Sequence, residues 1–165
     1  MKVLVVYYSL EGNTRLIARS IAAETYADLL ELQPLRQPPA RGVGKYVQGV
    51  GSVLRREMPS LQPFITRPGD YDLIFLGTPV WAGTYASAFN TYFSQVEIVN
   101  RKVALFCCHG GHKGHVFDRM IERLSGNEIV GTIDFHEPAR RDTQAAQERA
   151  RSWARGVVES LNVAV

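Results

Sequence analysis

At 165 residues the chain is long enough to bury one sizeable core. Hydrophobic residues at 45% and charged residues at 21% suit an ordinary globular protein, and no apolar run reaches membrane-spanning length. The net charge is +3, but no nucleic-acid-binding motif accompanies it, so nucleic acid is not an expected partner.

The first apolar run, Val3–Tyr8, reads as a strand buried on both faces. It is too short for a signal-peptide core and leads into Ser9 and Glu11 without a cleavage-like site, which makes the cytoplasm the default location. Asn13–Glu24, with Ile17 and Ile21 four apart, reads as a helix, and Asp28–Gln33 as a weaker strand. Residues 34–70 form a long irregular connector rich in proline and glycine. A helix fits around Lys45–Arg56, against the helix-weakening Gly49 and Gly51. Between Arg36 and Arg67 stand six basic residues and one acidic residue, Glu57, which is either a solvated face or a patch for an anionic partner.

Leu73–Leu76 is the third strand, and Ser87–Val96 a helix with Phe89, Tyr92, Phe93 and Val96 on its apolar face. Val103–Cys108 is the fourth strand. Bridge geometry strains the peptide between adjacent cysteines, so Cys107 and Cys108 are expected as reduced thiols at a strand end. His115–Leu124 is a helix, Ile129–Ile133 the fifth strand, and the last helix carries the stripe Ala146, Ala150, Trp153, Ala154, Val157, Val158 and Leu161. Asp142 or Thr143 caps its start, and Trp153 belongs to the core. This alternation describes one α/β domain over residues 1–165: a doubly wound five-stranded parallel sheet, order 2-1-3-4-5, with helices on both faces in three α/β/α layers.

Ligands of such sheets bind outside the carboxyl ends of the strands, where the order reverses. Three segments should meet there. The first is Ser9-Leu10-Glu11-Gly12-Asn13-Thr14, which offers hydroxyls, an amide, a tight glycine and the amide end of a helix, with no lysine or arginine. Asn13 or Ser9 serves either as a plain helix cap or as part of an anion nest. It is neither a Walker loop nor a three-glycine dinucleotide loop. The second is Gly77–Ser87, with Thr78, Pro79, Val80, Trp81, Ala82 and Gly83. Trp81 is either a core anchor or a flat aromatic at the mouth of a site, and Tyr85 a second stacking candidate or the start of the next helix's apolar face. The third runs from Cys107 to His115. Its His109, His112 and His115 are spaced by three, but Gly110, Gly111 and Gly114 oppose a helix there and no carboxylate lies within the run, so a metal is not expected. The glycines instead let backbone amides approach a flat heterocycle, with Cys108, His109, Gly110, Gly111 and His112 as the contacting set. Together the loops describe a ligand made of a phosphate, a linker and a planar ring. Flavin mononucleotide (FMN) meets that description and a nucleoside triphosphate does not.

Ser9–Thr14 resembles the flavodoxin family's phosphate loop, S/T-x-T-G-x-T, with Glu11 in place of the usual hydroxyl residue. "LGTPVWAG" resembles the family's second flavin loop, with Trp81 at the stacking position, and "VALFCCHGGHKGH" stands in the place of the third, where many members carry a tyrosine and acidic residues. The uninterrupted fifth strand resembles the short-chain branch. The resemblance implies FMN as cofactor and electron transfer between redox proteins. An FMN-dependent NAD(P)H:quinone-type oxidoreductase and a flavin-free binding module are the alternatives. The neutral-to-basic third loop implies a higher potential than in acidic relatives. The basic balance, with clusters at Arg55–Arg56 and Arg140–Arg141, implies a partner with an acidic face.

Overall fold

The computed structural model describes residues 1–36, 51 and 57–163. The elements in chain order are β1 (Val3–Tyr7), α1 (Asn13–Thr25), β2 (Asp28–Glu31), β3 (Leu73–Trp81), β4 (Thr84–Tyr85), α2 (Ala88–Gln95), β5 (Lys102–His109), α3 (Val116–Arg123), β6 (Glu128–His136) and α4 (Thr143–Asn162). The parallel strands lie in the order β2-β1-β3-β5-β6, and β4 pairs antiparallel with the end of β3. With the short β4 set aside, this is the doubly wound order read from the sequence.

Alternate residues of each inner strand feed two separate cores, one on each face of the sheet. Leu4 and Val6 of β1, Ile74 and Leu76 of β3, and Val103, Leu105 and Cys107 of β5 pack beneath α2 and α3, against Phe89, Tyr92, Val116 and Met120. Val3, Val5, Leu73, Phe75, Ala104, Phe106 and Cys108 face the other way, beneath Ile17 and Ile21 of α1 and Ala150 and Ala154 of α4. The adjacent cysteines therefore point to opposite faces, and both are free buried thiols. Trp153 meets Phe75 edge-on at 5.5 Å in the second core. The start of α4 is capped by Asp142, whose Oδ1 accepts the Ala145 N–H at 2.9 Å.

The connector returns beside β2. Leu35 N–H donates to the Ser60 carbonyl at 2.8 Å, and Gln62 N–H to that of Gln33 at 2.7 Å. Its far end is tied to α2 by the Thr91 hydroxyl, which donates to the Pro59 carbonyl at 2.7 Å. The helix expected over Lys45–Arg56 lies outside the described residues, Gly51 aside, as does the cluster Arg55–Arg56.

One expectation is corrected here. The third strand does not end at Leu76 but runs on to Trp81, then folds back through Ala82 and Gly83 into β4. Both turn residues have positive φ, 48° and 76°, as a tight two-residue hairpin turn requires. "GTPVW" reads as loop because of its Gly, Thr and Pro, yet Gly77, Thr78 and Pro79 stay in register with Phe106, Cys107 and Cys108.

Candidate functional site

The carboxyl ends of β1, β3 and β5 open into one cleft of about 150 Å³. The segment after β1 contributes Ser9, Leu10, Glu11, Asn13 and Thr14. The end of β3 and its turn contribute Pro79, Val80, Trp81 and Ala82, and the end of β5 contributes Cys108, His109 and Gly110. Segments about seventy and a hundred residues apart thus share one wall, because parallel strands align their carboxyl ends. Gly12, Thr78, Gly83, Tyr85, Gly111 and His112 fall outside this lining.

Those residues have other surroundings. Thr78 is fully buried, and its hydroxyl donates to the Pro79 carbonyl at 2.9 Å while accepting the Ala86 N–H at 3.0 Å. Tyr85 packs edge-on against Phe89 and Phe93, and with Gly83 it lines a neighbouring cleft that includes Arg119 and Arg123. Gly111 and His112 are exposed.

In the first segment, Gly12 stands at the N-cap of α1 with φ 94°, and its N–H donates to Ser9 Oγ at 3.2 Å. Among the described residues no side chain caps this helix start, and the Leu16 N–H donates to the Gly12 carbonyl at 2.9 Å. The early amides of α1 are therefore left for another acceptor. Asn13 is not a cap either: its Oδ1 accepts the Ala139 N–H at 2.9 Å, which leaves its amide NH2 as a donor. Thr14 is 1% exposed, and its Oγ1 has no hydrogen-bond partner among the described residues. A buried hydroxyl without a partner costs about 1–3 kcal/mol, so this one marks a place for an absent acceptor.

Trp81 is half-buried rather than fully exposed. Its ring meets Tyr8 edge-on at 5.4 Å, which braces the indole on one side while the residue lines the cleft. Behind it, the Gly83 carbonyl accepts the His115 N–H at 2.8 Å. A Cβ on Gly114, at φ 57°, would lie 2.6 Å from the Gly83 Cα. The hairpin and the third loop are thus locked by contact between two glycine backbones.

A fourth segment completes the cleft, and the sequence reading missed it. Glu137, just after β6, lines the wall with an unusual positive φ of 42°, and its N–H donates to the His109 carbonyl at 3.0 Å. Arg140 lies 3.5 Å from both Glu11 and Glu137, and Arg141 lies 3.7 Å from Glu137. The Arg140–Arg141 cluster is therefore partly neutralised at the cleft mouth. Glu11, the departure from the expected loop pattern, meets a counter-charge there. The signal available in the sequence was positional, since residues just past the fifth strand also sit at a carboxyl edge.

His109 is nearly buried, with its side chain 7% exposed. Its Nε2 lies 3.0 Å from Asp134 Oδ2. Lys113 Nζ donates to the other carboxylate oxygen at 3.3 Å. Burial alone would raise the Asp134 carboxyl, but these two partners outweigh it and hold it below its ordinary value. The His109 ring stacks on that of His136 at 5.3 Å, and His109 Nδ1 is buried with no partner among the described residues. Burial pushes the Cys108 thiol up to about 12, so the thiol stays neutral and unreactive in this wall.

A doubly wound sheet with a polar cleft over its central strands defines the class: an α/β protein with a cleft at the switch point, where ligands of such sheets bind. The Flavodoxin family model matches residues 2–130, and the chain belongs to the flavodoxin family. Among solved structures, the fold is similar to a flavoprotein from Lactobacillus acidophilus NCFM in complex with FMN. That match has 24% identity and a TM-score of 0.70, covering 87% of this chain and 98% of that one. It is also similar to oxidised flavodoxin 1 from Bacillus cereus, at 18% identity and TM-score 0.62, over 96% and 98% of the two chains. Oxidised flavodoxin 2 from the same organism matches at 21% identity and TM-score 0.58, over 97% and 99%. At these identities the likeness is one of fold. No curated protein matches the chain by sequence.

Proposed function

We propose that this chain holds FMN in the cleft and works as a cytoplasmic electron carrier between redox proteins. The observation that carries the reading is the meeting of Thr14, Trp81 and His109 in one wall, with a buried hydroxyl and an uncapped helix start on its first side. Hydroxyl and amide donors suit a phosphate without a cationic side chain. Family membership and the FMN complex of the Lactobacillus flavoprotein support the same cofactor.

The bound flavin supplies the electron chemistry. The chain's residues do the rest. Thr14, Ser9 and the first amides of α1 hold the phosphate. Asn13 ties that loop to the segment after β6. Trp81, braced by Tyr8, offers a stacking face, and Leu10 and Val80 exclude water. The third loop brings His109 to the wall where many relatives carry carboxylates, and Arg140 offsets Glu11 and Glu137 at the mouth, so a negative charge on the cofactor would be less disfavoured and the potential higher. The net charge of +3 suits a partner with an acidic face, with association weakened by salt.

Reconstitution of the apoprotein tests this. A yellow protein holding one FMN, whose colour persists under NADPH until a reductase is added, is the expected result. Bleaching by NADPH alone would identify an enzyme instead.

A further inference from the structure

We propose that Arg140 sets the cleft's preference for a phosphorylated flavin, by neutralising two carboxylates, Glu11 and Glu137, that would otherwise repel the phosphate. This rests on the FMN reading above, and it gives the selectivity of that site to a side chain that acts through its neighbours.

The described lining of the cleft holds an electrostatic conflict. It carries Glu11 and Glu137 and neither a lysine nor an arginine. Glu11 stands inside the Ser9–Thr14 segment, between Ser9 and the uncapped start of α1. A phosphate taken up by those donors becomes a neighbour of the Glu11 carboxylate. A phosphate monoester carries about −1.5 to −2 charges near neutral pH, and like charges at short range oppose binding. Both carboxylates have side chains only 29% exposed, so water screens them in part.

The turn after β6 brings the answer to this conflict. Glu137 N–H donates to the His109 carbonyl at 3.0 Å, and Ala139 N–H to Asn13 Oδ1 at 2.9 Å, which pins the segment to the end of β5 and to the first residue of α1. The Arg140 and Arg141 N–H groups both donate to the Glu137 carbonyl, at 2.9 and 3.1 Å, and close the turn. The Arg140 guanidinium then lies with Nη2 3.5 Å from Glu11 Oε1 and Nη1 3.5 Å from Glu137 Oε1. Its two arms serve carboxylates from two segments, as a planar fork can. Arg141 reaches Glu137 through Nε at 3.7 Å.

As exposed ion pairs these contacts add little to stability. Their effect on a third charge is larger. The four side chains together are neutral, and without Arg140 they carry one net negative charge beside the segment that receives the phosphate. The turn itself does not need the Arg140 side chain. Its backbone bonds, and the Thr143 hydroxyl that donates to the Pro138 carbonyl at 3.1 Å, are untouched by a glutamine at this position.

The test titrates the apoprotein with FMN and with riboflavin, which has the same ring and no phosphate, by fluorescence quenching. The readout is the ratio of the two dissociation constants in wild type, R140Q, R140K, E11Q, the double variant E11Q/R140Q, and R119Q, which removes an equal charge from the neighbouring cleft. In R140Q, FMN should bind about tenfold more weakly at low salt with riboflavin unchanged, and the deficit should shrink in strong salt. R140K should recover most of the loss. E11Q should tighten FMN, and E11Q/R140Q should lie close to wild type. R119Q should match wild type. An unchanged ratio in R140Q overturns the proposal. Equal weakening of both flavins overturns it too, since that marks a structural role, and so does a loss in R119Q as large as in R140Q, since that marks net charge alone. Were R140Q to fail to fold, E11Q decides, and unchanged FMN affinity there overturns the proposal. A wild-type protein that binds FMN and riboflavin alike overturns the selectivity and leaves a flavin site standing. If neither flavin binds, the cofactor reading falls, and this inference with it.

Discussion

The ring of Phe106 occupies the space that a side chain on Gly77 would need. The two residues are register partners on β5 and β3, and a Cβ on Gly77 would lie 1.9 Å from Phe106 Cζ. Glycine here is a steric requirement, since the aromatic folds across the strand beneath the cleft. Gly77→Ala should therefore destabilise the fold by about 1–3 kcal/mol, the usual cost of overpacking a dense core. Urea denaturation should show a lower midpoint at unchanged slope. Gly77→Ala combined with Phe106→Leu should recover part of the loss, because the obstructing ring is gone.

Thr14→Val separates a structural role from a binding one. It removes a buried hydroxyl that has no partner among the described residues, so the apoprotein should keep its stability or gain slightly. A hydrogen bond to a charged group is worth about 1.5–3 kcal/mol, so FMN affinity should fall by roughly 10- to 100-fold. Riboflavin, which lacks the phosphate, should bind both proteins alike. Fluorescence titrations with the two ligands measure this, and equal losses for both would place the phosphate elsewhere.

Gly114→Ala acts at a distance from the cleft wall. Gly114 sits at φ 57°, where a Cβ would meet the Gly83 backbone at 2.6 Å. The left-handed conformation alone costs about 1–2 kcal/mol for a residue with a Cβ, and the contact with Gly83 adds to it. The hairpin carrying Trp81 should shift, so both melting temperature and FMN affinity should drop. Ala at the exposed Gly111, where a Cβ would have nothing within 4 Å, should change neither by much.

The two thiols give a pH prediction. Burial pushes both up, Cys108 to about 12 and Cys107 also upward, with Cys108 and Asp134 adding to the effect on Cys107. Their folded values lie above the unfolded value of about 8.5, so the folded state binds these protons more tightly. The resulting stability is complete below that pH and is lost as pH rises toward the folded values. Denaturation midpoints should therefore fall between pH 8 and pH 10.5, and less so in Cys108→Ala. At pH 8 both thiols should resist a disulfide reagent in the native protein and react promptly in urea.

Much of this molecule was legible in its sequence. Val3–Tyr7 and Val103–Cys108 are continuous apolar runs, and only a strand covered on both faces needs that pattern. The α4 stripe, from Ala146 to Leu161, has one dry face, and Trp153 lies within it. The hairpin was not legible, because Pro79 and Gly77 argue for a loop. What keeps them in a strand is tertiary: Phe106 needs the bare Gly77, and the Thr78 hydroxyl accepts the Ala86 N–H. The fourth wall was hidden for a similar reason. Glu137 and Arg140 look like ordinary surface charges until β6 brings them beside Glu11 and His109. The pairing of His109 with Asp134 joins residues 25 positions apart, and no local pattern announces it.

The most direct measurement is a titration of the apoprotein with FMN, followed by quenching of flavin fluorescence, in wild type and Trp81→Ala. One FMN per chain, strongly quenched in wild type and less quenched and more weakly held in Trp81→Ala, is the expected result. Absence of saturable quenching in the wild-type protein would contradict the claim that Ser9–Thr14, Trp81 and His109 form one flavin site.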